Sequence, residues 1–372
     1  GRASARGGAV GMTAAGDITG LRGVAVERAG FAPDWGRAQA AAATGVAVTA
    51  GGLAQLGTVE AGVAGAADLA DGVAQVTVRA GSAGILSATA RNGGLLVETG
   101  AGDTSLDRGE ARLGARVQGA GAVRIGDLTS QARDVAVNGG EDVTGLTLAT
   151  PVADGRLVAG QGRANLTAQG AGRTVAATAA GTAQLGTVTA GQGTAASRTL
   201  NQLVVRGSAV DVGTANAANG NLVLEARAGG VRLGQGIAGG GVEEGDLAGI
   251  RGATGAQIGS VTARTGDVRV AAVGGSVSGL MTPGATGRAD LAALGTDRRV
   301  VVEARGGNAL LGAVTAGAGA ASAGEQIGVD ARGIDVTSAS AVNGAIGLRA
   351  SVGGLTLGTG SAATAATLVK QG

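Results

Sequence analysis

Residues 222–234 read LVLEARAGGVRLG. Leu222, Leu224 and Ala226 alternate with Val223, Glu225 and Arg227, the period-2 signature of a strand with one covered face. Gly229-Gly230 turns the chain, and Val231 and Leu233 open a second alternating run. The same unit returns as VTVRAGSAGILSA at 76–88, LLVETGAGDTSLD at 95–107, VVEARGGNALLG at 301–312 and IGLRASVGGLTLG at 346–358. A polar residue marks the middle of each first strand. Arg79, Glu98, Gln118 and Asn138 follow one another at 19, 20 and 20 residues, and the pairs Arg206/Glu225 and Asp330/Arg349 are each 19 apart. Weaker copies at 157–159 and 175–177 continue the count. No such unit can bury its apolar face alone. A period near 20 built from short strands therefore predicts coils stacked on coils, each covering its neighbour.

A second motif runs alongside the first. It reads LGTVEAG at 56–62, LGTVTAG at 185–191 and LGAVTAG at 311–317, with IGDLTS at 125–130 and IGSVTA at 258–263 as variants. The glycine after Leu or Ile predicts a bend where a Cβ would crowd the neighbouring coil. Insertions follow this motif at 63–75, 192–202 and 318–326, with longer excursions at 235–257 and 280–298. The expected fold is all-β, a parallel β-helix of about 19–20 residues per coil with loop insertions at one corner. Val76, Val78, Leu222, Leu224, Val231, Leu233, Leu355 and Leu357 are predicted to point inward. Glu225 and Arg227 are predicted to stand in outward polar ladders. The stretch 1–45 is less regular and holds Phe31 and Trp35, expected on a surface flap; 46–372 carries the repeats, in one continuous domain with it.

Composition fits a thin core. Gly supplies 76 of 372 residues and aromatics 1%, so burial must come from Ala, Val, Leu and Ile rather than from large rings. Three prolines and no three-residue Gly period exclude collagen. Without cysteine or histidine the chain has no disulfide, no thiolate metal site and no imidazole base. The net charge is +2, Lys370 is the single lysine, and the arginines are scattered. Nucleic acid, which selects basic stripes and stacking aromatics, is not an expected partner. No run of 18 apolar residues predicts a membrane-spanning segment.

The runs NGNLVLEARAGGVRLGQG at 219–236 and GSVTARTGDVRVAAVGGSVSG at 259–279 resemble the repeats of filamentous-haemagglutinin-type exoproteins, large secreted bacterial adhesins. The resemblance covers roughly 46–357. It implies a right-handed parallel β-helix and an extracellular or cell-surface location. The Asn-Pro-Asn motif of that family's secretion domain is missing, so the chain resembles a mid-fibre segment or a divergent member rather than a secretion domain. The expected function is structural and adhesive, with a host-surface or matrix glycan or protein as partner. A second expectation is a filament subunit that stacks end to end, because ATLVKQG forms no amphipathic cap. A third is a polysaccharide-active enzyme. Its candidate carboxylates are Glu243, Glu244 and Asp246, then Asp68 and Asp71, then Asp290 and Asp297 beside Arg298. Solvated loop carboxylates are the commoner meaning of such groups. No catalytic, cofactor-binding or metal-binding residue is assigned, and no cofactor is expected.

Overall fold

The structure, a computed structural model, describes residues 2–19, 38–146, 161–192, 199–239, 248–280, 287–319 and 324–371. The described residues form strands and no helix. The chain divides into two compact units, Gly1–Thr187 and Val188–Gly372, and each is a β-solenoid of stacked parallel strands.

One coil shows how the sequence makes the shape. Gly94–Thr99 is a strand with Leu95 and Val97 turned in. A turn follows, and then the strand Thr104–Ala111. Its alternation slips once: Leu106 is buried, Asp107 and Arg108 both face out, and Gly109 is buried again. That slip is a bend, and it divides the coil into three faces. We name them A (94–99), B (104–106) and C (108–111). An inward side chain at Gly109 has no room, since a Cβ there would lie 2.5 Å from Leu128 and 2.9 Å from Leu106. The glycine of the LGxV and IGxx motifs sits at the same bend. A Cβ on Gly126 would lie 2.3 Å from the Asp107 carbonyl oxygen of the preceding coil, so the crowding expected from sequence is present.

Coils stack in register. In the first unit Arg79 stands opposite Glu98, then Gln118, Asn138 and Thr178. In the second, Arg206, Glu225, Arg251, Ala271, Glu303, Asp330 and Arg349 form the equivalent column. The sequence markers are therefore neighbours on face A. Arg79 and Glu98 pair at 2.8 Å, Arg206 and Glu225 at 3.1 Å. Such half-exposed pairs each contribute about 0–1 kcal/mol, so the wall is held by its backbone ladder and its core rather than by these charges.

Val76, Val78, Leu222, Leu224, Val231 and Leu233 are buried as expected. Leu355 and Leu357 are a correction. They keep the inward alternation but are only half-buried, because Leu355–Ala362 pairs with Glu325–Ala341 alone among the described strands. Arg227 is another. It lies past the strand Gly220–Ala226, at the corner, where its N–H donates to the Gly207 carbonyl at 2.9 Å. The column beside Glu225 is continued by Arg251 instead.

The excursion read at 235–257 is mostly regular: it holds the end of Val231–Ala238, the whole of Ala248–Gly252 and the start of Ala256–Ala263. The true insertions at 62–73, 191–198 and 317–324 join face C to the next face A, which is one corner. The chain also inserts at a second corner. Residues 279–288 lie between Val277–Ser278 on face B and Ala289–Ala293 on face C. Face A at Val135–Gly139 pairs directly with Val175–Ala179, so one step of the repeat is forty residues long. The copy read at 157–159 lies outside the described residues, and so do Phe31 and Trp35. The coils reach back to Arg2–Ala5, which pairs with Ala38–Ala42.

Candidate functional site: the corner loops

The first insertion leaves face C at Gly62, whose φ of +101° is the left-handed conformation that glycine adopts without strain. It then runs across the corners of successive coils. The Leu69 N–H donates to the Asn92 carbonyl at 2.7 Å. Arg112 Nε donates to Asp68 Oδ2 at 3.0 Å, and Arg133 Nη2 to Asp71 Oδ1 at 2.6 Å. Arg91 pairs with Glu60 at the start of the same corner. Arg91, Arg112 and Arg133 recur every 21 residues, one per coil, so two loop carboxylates fasten the segment to two further coils. The loop is a strap.

Under the strap lies a buried amide pair. Gln75 Oε1 accepts from the Asn92 N–H at 2.9 Å. Asn92 then holds the loop on both sides: its Oδ1 accepts from the Val63 N–H at 3.0 Å, and its Nδ2 donates to the Ala66 carbonyl at 2.9 Å. The second unit repeats the arrangement twice. The Asn219 N–H donates to Gln202 Oε1 at 2.7 Å, and the Asn343 N–H to Gln326 Oε1 at 2.9 Å. Asn343 Nδ2 also donates to the Ala318 carbonyl. Gly191 and Gly317 open these loops with φ of +72° and +83°. Sequence reading passed over these residues. Their signal was present: a Gln immediately before the first inward aliphatic residue of a face-A strand (Val76, Leu203 or Ile327), then Asn-Gly, always 17 residues from Gln to Asn.

Beside the strap, face A of the first unit carries a groove of about 550 Å³ lined in part by Asp71, Leu96, Glu98, Arg116, Arg133 and Arg173. Leu96 is the apolar outward residue of its strand. Arg116 Nη2 donates to Gln118 at 3.0 Å. A shallow cleft with an apolar floor and charged rim can seat an extended polar chain. A smaller one of about 290 Å³ on the second unit is bordered by Glu225, Arg251, Arg269 and Glu303.

Among the described residues the candidate acids do not gather into one group. Asp68 and Asp71 are taken up by arginines at the strap. Asp290 Oδ1 accepts from the Ala313 N–H at 2.8 Å, tying face C to the next coil, and Asp297 lies in a turn with φ of +53° beside Arg298. Glu243, Glu244 and Asp246 lie outside the described residues. Among the described residues no group of three or more acids is placed to hold a metal ion, and no helix is long and apolar enough to cross a membrane. Among the described residues one carboxylate is shifted. Burial raises the pKa of Asp103, but the Arg124 guanidinium at 2.7 Å and the Ala122 N–H at 3.0 Å outweigh it and hold the group below its ordinary value. This pair ties adjacent coils on face B and needs no catalytic explanation.

Comparison of the chain with family models, with curated proteins and with solved structures found no match to any of the three.

Proposed function

We propose that this chain is a structural and adhesive segment of a secreted or surface-attached bacterial fibre, in which the solenoid provides reach and the corner loops provide contact. The observation that carries the reading is the strap at 62–73, an insertion fastened to successive coils by Asp68–Arg112 and Asp71–Arg133. A loop that merely tolerated lengthening would need no such fastening, because lengthening a loop costs little. Ordering a loop before it meets a partner lowers the entropic cost of binding. The resemblance of the repeats to filamentous-haemagglutinin-type exoproteins points the same way.

The test is retention of the purified chain on arrayed matrix glycoproteins and glycans, beside a chain whose residues 63–73 are replaced by a Gly/Ser segment of equal length. Loss of retention with an unchanged melting curve is the expected result. Equal retention by both chains would count against the strap as the contact element. Release of reducing ends from an arrayed polysaccharide would replace the adhesive reading with an enzymatic one.

A further inference from the structure

On face A of the second unit the outward residues stand in two columns. One runs Val223, Gly249, Arg269 and Val301, and the other Glu225, Arg251, Ala271 and Glu303, each residue opposite the next in register. Successive rows lie about 4.8 Å apart, the spacing of paired strands. The two middle rows form a checkerboard. The small residues Gly249 and Ala271 lie on one diagonal, and the arginines Arg251 and Arg269 on the other. The missing side chains leave a cleft of about 290 Å³, with half-buried Val223 in the row before it and half-buried Val301 in the row after it.

Two positive charges are left over in this cleft. Glu225 is engaged by Arg206 at 3.1 Å, and Glu303 by Arg305 of its own strand at 2.8 Å. Ala271 stands where an acid in the next row would answer Arg251. Arg251 and Arg269 are exposed, and among the described residues neither guanidinium has an ion-pair or hydrogen-bond partner. Two unpaired guanidiniums beside one cleft attract an anionic group, and their planar forks match a carboxylate. The valines select a branched aliphatic group within one row of that carboxylate. In a C-terminal Val, Leu or Ile residue the carboxylate and the branched side chain leave the same carbon. A free acid of that size gains less, because a shallow site covers only part of it. A polypeptide end adds contacts where the chain leaves the cleft along the wall.

We infer that this cleft binds the C-terminal residue of a partner polypeptide ending in a branched aliphatic side chain. The carboxylate lies between Arg251 and Arg269, and the side chain fills the space over Gly249 against Val223. Capture of a chain end by its carboxylate is a recurring mode of peptide recognition. The inference names a partner class for the adhesive reading and rests on that reading for its purpose alone. The strap and the cleft share no residue, so each can fail without the other.

The test titrates N-acetyl-Ala-Ala-Val, with its carboxylate free, into the full chain beside the same peptide closed as its amide. The backbone amides of Gly249, Arg251 and Ala271 are followed by NMR. The free acid is expected to bind about fivefold more tightly than the amide or than N-acetyl-Ala-Ala-Gly, and to weaken as salt is added. Arg251→Ala and Arg269→Ala are each expected to weaken it about threefold, with the melting midpoint unchanged. Gly249→Val keeps both charges and fills the cleft, and is expected to remove the preference for Val over Gly. Equal affinity for acid and amide, shifts confined to other amides, unchanged affinity in both arginine variants, or a preference that survives Gly249→Val overturns the inference. So does isovalerate binding as tightly as the tripeptide, since a free acid is then the ligand. If the peptide binds here while the chain is not retained on arrayed glycoproteins and glycans, the adhesive reading falls and the site stands. Retention without peptide binding does the reverse.

Discussion

Arg133 Nη2 lies 2.6 Å from Asp71 Oδ1, although 62 residues separate them in the chain. The pair reaches from the strap to the coil corner beyond Arg112. Both side chains are substantially exposed, at 37% and 67%, so the pair is weak in free-energy terms and local in effect. A double-mutant cycle of Asp71→Ala and Arg133→Ala is expected to give a coupling of about 0.2–1 kcal/mol that shrinks as salt is added. Exchange of the Leu69 amide, which bonds Asn92 in the same strap, should rise in both single variants.

Core burial makes a sharper prediction. Leu224 is fully buried, so Leu224→Asp places an unpaired carboxylate among aliphatic side chains, in a chain without histidine. A loss of about 4 kcal/mol or more is expected from urea denaturation of the second unit. Leu357→Asp, at a half-buried position with the same alternation, should cost less than half of that.

Glycines at the coil corners separate into two classes. A Cβ on Gly275 would fall 1.6 Å from the Thr254 carbonyl oxygen, which is backbone and cannot swing away. A Cβ on Gly354 would meet nothing within 4 Å. Gly275→Ala is therefore expected to destabilise by roughly 2–4 kcal/mol, and Gly354→Ala to remain within about 0.5 kcal/mol, as read by thermal melts.

Asp103 links stability to pH. Its carboxyl is held below its ordinary value of 3.8 in the folded chain, by Arg124 and the Ala122 N–H acting against burial. The stabilisation is present above pH 3.8 and is lost as the pH falls through the lower folded value. Asp103→Asn should lower stability near neutrality and flatten its dependence on pH below about 4. A difference between the two chains that stays constant down to pH 2 would contradict this assignment.

Much of the fold is legible because its rule is short. Alternation alone marks Val76, Leu222 and Leu233 as inward, and a step of 19–20 residues alone aligns Arg79 with Glu98 and Gln118. Two kinds of information escaped. Burial at Leu355 and Leu357 depends on whether a neighbouring coil covers them, which alternation does not encode. Arg227 keeps the beat of its strand but falls one residue past its end, and a period of two continues on paper through a corner. The buried amide pairs escape for another reason. Gln326 and Asn343 look like ordinary surface amides in the sequence. Only the folded path, which brings the end of one coil over the start of the next, shows that they are buried against each other.

The bend in each coil has a consequence for how such a chain can change length. Because inward and outward residues alternate, a gain or loss of one residue turns a whole strand inside out. A gain or loss of a complete circuit leaves every column intact. Excising residues 248–267 would seat Val268 on Leu222 and Val277 on Val231, aliphatic on aliphatic in each case. Outside its corner loops, the wall is thus open to growth and shortening only in whole storeys, and a lineage of such proteins would differ in height by multiples of one coil while the plan of each floor stayed the same.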